Sequence, residues 1–132
     1  MSGVMCMAIE IISTDRAPMP VGSYSQAVKS NGFVFVAGQI PIDVTTGLLS
    51  SEGIHKETKI ILYNIAAILE AAGSSLDRVV KFTVYLKDIN DIKFVNDVLK
   101  EVYGDSPPAR STVEVSKLPK EARIEMEAIA EV

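Results

Sequence analysis

The sequence predicts an α+β domain in which a single mixed β-sheet carries two helices on one face. Three features indicate this fold: an Asn-Gly hairpin near the start, two apolar segments of helical period separated by a strand, and two alternating strands at the end. This element order is typical of one sheet covered on one side. We expect residues 1–132 to form one domain, with residues 1–6 as a flexible N terminus.

The first predicted elements are a strand over residues 7–13 and a β-hairpin. Pro18 and Pro20 end the strand, because proline lacks the N–H that a sheet ladder needs. Residues 26–30 and 33–37 then flank Asn31-Gly32, a dipeptide that tolerates the positive φ of a tight two-residue turn. These residues therefore predict two antiparallel strands.

A helix is predicted from residue 52 to residue 72. Ser51 can cap its start and Gly73 can end it. Its apolar positions recur at helical spacing, which predicts one buried face. They are Ile54, Ile61, Leu62, Ile65, Ile68, Leu69 and Ala72.

The following unit is a strand over residues 79–86 and a second helix over residues 90–103. Asp88 or Asn90 can cap this helix, and Gly104 stops it. The residues predicted to face the core are Val80, Phe82, Val84 and Leu86 in the strand and Ile92, Val95, Leu99 and Val102 in the helix.

The C-terminal strands are predicted over residues 110–116 and 122–130, with alternating faces. The helix side is expected to receive Val113, Val115, Ile124, Met126 and Ala128. The opposite, open face is expected to receive Arg110, Thr112, Glu114, Glu125, Glu127 and Ile129. Phe33 and Phe35 would extend this open face into an apolar patch. A patch of this kind predicts a homo-oligomer.

Composition excludes several classes of function. The formal net charge is −4 and no basic run is present, so nucleic acid is not an expected partner. Cys6 is the only cysteine and His55 the only histidine, which excludes an intrachain disulfide and a Cys/His zinc cluster. No apolar stretch approaches the about 20 residues that span a bilayer. We expect a cytoplasmic protein with no metal, no cofactor and no membrane partner.

Two side chains are candidates for chemistry. Arg110 begins a strand directly after Pro107-Pro108-Ala109, where a fixed backbone would aim a guanidinium group at a carboxylate. The alternative for Arg110 is a surface salt bridge to Glu114 or Glu127. Glu125 has apolar neighbours in its strand, so a partly desolvated carboxylate there could deprotonate water. Its alternative is an ordinary solvated residue.

The chain resembles the Rid (YjgF) family of small deaminases, in particular the RidA branch. The resemblance covers nearly the whole sequence, and its most specific part is the segment 108–115, PARSTVEV, followed by Leu118-Pro119 and the segment 124–130, IEMEAIA. Further matching segments are GSYSQA at 22–27, AGQIP at 37–41, NI at 64–65, LEAAG at 69–73 and VKFTVYL at 80–86.

This resemblance implies a homotrimer of chorismate-mutase-like subunits whose sheets pack into a barrel, with sites between subunits. It also implies hydrolysis of imines and enamines such as 2-aminoacrylate and 2-aminocrotonate to 2-oxo acids and ammonia, without a metal or cofactor. Pyridoxal-phosphate-dependent dehydratases would supply these substrates. Two alternatives stay open: a trimeric protein that binds 2-oxo acids or other metabolites without turnover, and a ribonuclease or translation inhibitor, which the acidic charge disfavours.

By position, the resemblance implies that Arg110 binds the substrate carboxylate and Glu125 holds the attacking water. It further implies substrate-binding roles for Tyr24, Gly38, Asn96 and Thr112. Three residues depart from the family pattern: Ser23 stands for a common proline, Ala37 for a serine, and Thr112 for the cysteine of some members. The serine hydroxyl can bind the ligand carboxylate, so Ala37 is expected to lower affinity slightly.

Overall fold

The structure, a computed structural model, describes residues 9–132 and contains one six-stranded sheet and two α-helices. The expected flexible segment 1–6 lies outside the described residues. Short 3-10 turns occupy residues 76–78, 89–91 and 119–121. The strands and helices are β1 (Glu10–Ile12), β2 (Ala27–Ser30), β3 (Phe33–Gln39), α1 (Ile54–Ala71), β4 (Val79–Leu86), α2 (Ile92–Tyr103), β5 (Ala109–Glu114) and β6 (Ile124–Glu131).

The sheet order is β1-β2-β3-β6-β4-β5, and only the β4/β5 pair is parallel. Helix α1 packs on β3 and β6, and α2 packs on α1. The core between sheet and helices includes the fully buried side chains of Phe82, Ile65, Ile68 and Met126. The predicted α+β fold with a mixed sheet and two helices on one face is confirmed.

The predicted Asn-Gly hairpin is also confirmed. Strands β2 and β3 pair antiparallel with Ser30 opposite Phe33, and the turn residues Asn31 and Gly32 have φ values of 54° and 86°. Both residues therefore occupy the left-handed region that a tight two-residue turn requires.

Helix α1 begins two residues later than predicted, at Ile54, and Ser51 does not cap it. Gly53 is the residue before the first turn and has no side chain to offer. Its N–H instead donates to Oε2 of Glu57 at 3.1 Å, so a carboxylate from inside the helix satisfies this donor. Gly73, with φ 84°, follows the end of the helix as predicted.

One predicted core position in α2 and one in β4 are exposed. Val102 of α2 is 45% exposed, because the buried stripe of this amphipathic helix runs through Val98 instead. Val80 of β4 is 38% exposed, because the register with β6 shifts between Val79 and Lys81. This irregularity turns Val79 into the core and Val80 away from it.

The predicted faces of β5 are wrong: its two sides are exchanged. Strand β5 pairs in parallel with β4, with Arg110 opposite Phe82 and Thr112 opposite Val84, and both partners are buried under the helices. Arg110, Thr112 and Glu114 therefore lie on the helix side. Val113 is 44% exposed on the open side, while Val115 lies beyond the end of the strand. Alternation fixes the period of a strand, but not which set of residues faces the core.

The open face of the sheet carries the apolar residues that the sequence predicts. Phe33 and Phe35 are 38% and 43% exposed, and Ile129 lies half-buried directly opposite Phe35. Within residues 9–132, no helix has the length and apolar character needed to cross a membrane.

Candidate active site

Arg110 lies at the edge of the sheet, in a groove between β5 and α2. Its Nη1 donates to Oδ1 of Asn96 at 2.7 Å. The groove has a volume of about 380 Å³, with Phe82 and Leu99 among its apolar lining residues and Pro108 in the segment that leads into β5. The hydrogen bond to Asn96 thus ties the guanidinium group to helix α2.

Arg110 does not form the surface salt bridge that its residue type alone suggests. Among the described residues it makes no ion pair, and Glu114 instead accepts the N–H of Ile89 at 2.9 Å. A guanidinium group has five N–H donors, so the bond to Asn96 leaves a fork for a planar anion. Thr112 follows on the same side, and its buried Oγ1 has no hydrogen-bond partner within residues 9–132.

Glu125 lies in a second pocket, of about 120 Å³, on the other side of the sheet. Tyr24 and Gly38 line this pocket together with Glu125. Most of the remaining lining is apolar, and Lys120 contributes a cation. The other lining residues are Pro18, Met19, Val21, Gln39, Ile40, Ile42 and Pro119.

Gly38 permits the close approach of Glu125 to the backbone of β3. A Cβ atom at residue 38 would lie 2.0 Å from Oε2 of Glu125, far inside van der Waals contact. The register between β3 and β6 shifts at the same place, between Val36 and Gln39. Glycine is therefore required here for space, so that the carboxylate can lie against the chain.

The environment of Glu125 raises the pKa of its carboxyl group. Burial is the larger cause, and the negative charge of Glu127 on the same face of β6 is the second. Glu127 accepts a hydrogen bond from the Tyr85 hydroxyl at 2.5 Å. That bond, with burial and the two carboxylates, raises the pKa of Tyr85 to about 12, so the phenol stays a donor at neutral pH. Glu125 is consequently a stronger base than a solvated carboxylate.

The predicted common face of Arg110 and Glu125 is wrong. Arg110 lies opposite Phe82 of β4, and Glu125 lies opposite Tyr85. Residues 82 and 85 are three apart in one strand and therefore point to opposite faces. The six predicted site residues divide accordingly: Arg110, Asn96 and Thr112 lie on the helix side, whereas Glu125, Tyr24 and Gly38 belong to the second pocket. One chain alone cannot apply both charged groups to a small ligand.

Two buried amides bind the backbone of residues that line the second pocket, Pro18 and Ile42. The sequence does not predict these amides as functional residues. Gln26 is 2% exposed and holds the loop that leads to Tyr24: its Nε2 donates to the carbonyls of Ala17 and Pro18, and its Oε1 accepts the N–H of Thr14. Asn64 of α1 donates to the carbonyl of Ile42 at 2.8 Å. A proline-containing loop cannot pair all of its backbone groups in a regular ladder. Such a loop in the sequence could therefore have indicated buried amides that bind those groups.

His55, the only histidine in the sequence, lines neither of the two pockets. Its side chain is 45% exposed, and its Nε2 lies 3.7 Å from Oε2 of Glu101. In the part of the chain that the structure describes, no group of three His, Cys, Asp or Glu residues could hold a metal ion.

The fold and its two pockets define a small single-sheet α+β protein with an arginine in one pocket and a carboxyl group of raised pKa in the other. The family model described as Endoribonuclease L-PSP matches residues 14–132. The chain therefore belongs to this family, which is the Rid (YjgF) family that the sequence resembles.

Relatives match over nearly the full chain. A RutC family protein of Pyrococcus abyssi is 58% identical over 94% of this chain and 98% of its own. A bovine (Bos taurus) protein named 2-iminobutanoate/2-iminopropanoate deaminase is 47% identical over 92% of this chain and 88% of its own. Among solved structures, a Rid-family protein from Yersinia pestis matches with a TM-score of 0.90 and 45% identity, covering 95% of this chain and 100% of that chain. TdcF of E. coli with bound serine matches with a TM-score of 0.87 and 38% identity, covering 93% and 98%.

Proposed function

We propose that this protein hydrolyses reactive 2-imino and 2-enamino acids, such as those derived from 2-aminoacrylate and 2-aminocrotonate, to 2-oxo acids and ammonia. The observation that carries the proposal is the division of the site: an arginine with free donors on one face and a basic glutamate on the other. The name of the bovine relative, 2-iminobutanoate/2-iminopropanoate deaminase, supports the same chemistry.

The proposal includes an oligomer, because the two half-sites need a second copy to meet, and the family resemblance implies that this oligomer is a homotrimer. The apolar open face around Phe35 and Ile129 would pack against the neighbouring subunits. The Glu125 pocket, close to this face, would then meet the Arg110 groove of the next copy at the sheet edge. Each cleft would combine Arg110, Asn96 and Thr112 of one subunit with Glu125, Tyr24 and Gly38 of another.

The reaction requires only binding, water orientation and proton transfer. Arg110 would bind the substrate carboxylate with two parallel N–H donors, which fixes the plane of the imine. An enamine would first take a proton from solvent at C3 and become the iminium form of the imine. Glu125 would take one proton from water while the water oxygen attacks C2 and the C=N π electrons move to nitrogen, forming a neutral carbinolamine. Glu125 would then pass this proton to the nitrogen and take the hydroxyl proton as the C–N bond breaks, so that ammonia and the 2-oxo acid leave.

The other residues would orient the ligand. The unpartnered Oγ1 of Thr112 is two residues beyond Arg110 and would bind the carboxylate or the water. Tyr24 would cover the cleft, since its ring is exposed in the single chain. Gly38 would leave the space in which the Glu125 carboxylate lies against the backbone of β3 and holds the water.

The substrates point to pyridoxal-phosphate-dependent dehydratases as the upstream enzymes, since these release enamines from serine and threonine. The compartment we propose is the cytoplasm. The serine bound to TdcF supports a cleft that accepts a small molecule with a carboxylate.

The proposal is tested by coupling the purified protein to a threonine or serine dehydratase and following the decay of the imine. Wild-type protein is expected to accelerate the decay and ammonia release, and Arg110→Ala to lose the acceleration. Arg78→Ala is the matched control, since Arg78 is exposed and donates to the Glu131 carbonyl away from both pockets. An unchanged rate in Arg110→Ala would contradict the proposal.

A second candidate is binding without turnover, which the serine-bound relative favours. It predicts that 2-oxo acids bind to wild type, that Arg110→Ala abolishes this binding, and that no ammonia release is catalysed. The description of the matching family, Endoribonuclease L-PSP, suggests ribonuclease activity. The net charge of −4 opposes RNA binding, and only cleavage that persists in highly purified protein would support it.

A further inference from the structure

The turn that precedes β6 has an unusual backbone. Lys120 and Glu121 have φ values of 55° and 59°, although neither is glycine. A left-handed conformation is unfavourable for residues with a Cβ atom, and two in succession are rare. Such a backbone persists only where the surrounding structure holds it. Contacts outside the turn must therefore maintain it.

An ion pair between a buried carboxylate and a half-exposed guanidinium group lies beside this turn. Nη2 of Arg123 lies 2.6 Å from Oε2 of Glu57, whose side chain is 1% exposed at the start of α1. The same Oε2 accepts the N–H of Gly53, and the carbonyl of Arg123 accepts the N–H of Lys87 at 3.0 Å. Arg123 thus links the end of the turn to α1 through its side chain, and to Lys87, the residue after β4, through its backbone carbonyl.

The turn forms one wall of the Glu125 pocket. Pro119 and Lys120 line the pocket, and Lys120 is the one cation among its lining residues. Arg123 is two residues before Glu125 in the chain. A change in the turn would therefore move the wall that faces a bound substrate, while β6 itself stays paired with β3 and β4.

We propose that Glu57 and Arg123 are positioning residues: their ion pair holds the left-handed turn at Lys120 and Glu121 against the pocket, and so sets how tightly the substrate is bound. The inference deepens the proposed deaminase function, on which its kinetic test rests. Because the turn forms a wall and does not carry the base, its loss affects substrate binding more than the chemical step.

The test compares Glu57→Gln, Arg123→Met and the double variant with wild type. The double variant is decisive, since removal of Arg123 alone leaves an unpaired buried charge that can prevent folding. We expect KM for the imine to rise about fivefold, with kcat within about twofold of wild type. Arg78→Met is the control: Arg78 donates to the Glu131 carbonyl at the far end of β6 and should leave both constants unchanged.

Hydrogen exchange gives a readout without substrate. The N–H groups of Glu121 and Ala122 donate to the carbonyls of Leu118 and Pro119, so these amides report directly on the turn. In the double variant their exchange is expected to accelerate. If wild type has no turnover, the proposed function fails, but the exchange result still decides whether the ion pair holds the turn.

A rescue variant separates positioning from general stabilisation. Glycine adopts positive φ without penalty, so Glu121→Gly in the double variant is expected to restore slow exchange and return KM towards wild type without the ion pair. Two outcomes would overturn the inference: a double variant with lower Tm but unchanged KM, or a rescue that restores Tm but not KM.

Discussion

The two candidate half-sites differ in how firmly the fold holds them. Glu125 lies on β6, which has β3 on one side and β4 on the other. Gln26 holds the loop beside its pocket, and Gly38 leaves room for its carboxylate against β3. Arg110 lies on β5, an edge strand, and one hydrogen bond to Asn96 orients it. The proposed base is thus on the rigid centre, and the proposed substrate-binding group is on the edge that another subunit can reach.

This difference separates two requirements of a composite site. A base must keep its protonation state and its distance to the water, which a paired central strand provides. An anion-binding arginine must stay accessible until the second copy and the ligand arrive. This division predicts that a variant defective in one half-site can be complemented by a variant defective in the other.

The largest expected effect comes from mixing two inactive variants. Arg110→Ala is expected to lower kcat/KM about 10- to 150-fold through loss of a charge-assisted contact. Glu125→Gln is expected to lower kcat about 100- to 10,000-fold through loss of the base. After subunit exchange at equal concentrations, roughly a quarter of the clefts in random trimers combine an intact Arg110 with an intact Glu125.

Activity of the mixture should therefore recover to about a quarter of wild type, measured by imine decay before and after exchange. A doubly substituted chain mixed with wild type is the control, because it dilutes the intact clefts and creates none. Recovery that stays at the level of the single variants would show that Arg110 and Glu125 act in the same subunit.

A second prediction concerns the depth of Glu125. In Gly38→Ala the new Cβ would overlap Oε2 of Glu125, so the carboxylate must swing away from the backbone. We expect kcat to fall about 100-fold, since a displacement of about 1 Å can have this effect on a reacting group. Gly22→Ala, in the loop before β2, is the control: its Cβ would meet the Tyr24 ring at an ordinary 3.4 Å. Equal kinetics of the two variants would refute the role of Gly38.

The fold could be predicted from the sequence far better than the site. Period-two and helical patterns, the Asn-Gly turn and the closing glycines are local signals, and each appears in the structure. The side of the sheet to which each residue of β5 points is not a local property, because it depends on pairing with β4. Alternation alone therefore places Val113 on the helix side and Arg110 on the open side, the reverse of the structure. The bulge at Val80 and the close approach at Gly38 also depend on the neighbouring strand.

A third prediction uses the carboxylates of the central strand. Burial and then Glu127 raise the pKa of Glu125, and the rate requires its ionised form. As pH falls through this raised pKa, Glu125 gains a proton and activity is lost, at a higher pH than for an ordinary carboxyl group. Glu127→Gln removes the second cause, so the acid limb of kcat/KM against pH should move to lower pH.

The control for this pH profile is Glu114→Gln, on the opposite face of the edge strand, where it accepts the N–H of Ile89. Its acid limb should coincide with that of wild type. An acid limb unaffected by Glu127→Gln would mean that Glu127 does not tune the base.

The smallest expected effect lies at Ala37, beside the irregular part of β3. The family pattern that the sequence resembles implies a serine at this position, whose hydroxyl could bind the ligand carboxylate. In this chain the backbone of Ala37 is already committed: its N–H donates to the Gln26 carbonyl and its carbonyl accepts Nε2 of Gln39. Ala37→Ser therefore adds one side-chain donor without demanding a new backbone conformation. One neutral hydrogen bond contributes about 0.5 to 1 kcal/mol, so KM should fall about twofold to fivefold with kcat unchanged.

In Arg110→Ala this gain should disappear, because the added hydroxyl can assist only a carboxylate that Arg110 holds. A gain of equal size in both backgrounds would place the hydroxyl away from the carboxylate, and would separate residue 37 from the arginine half of the cleft.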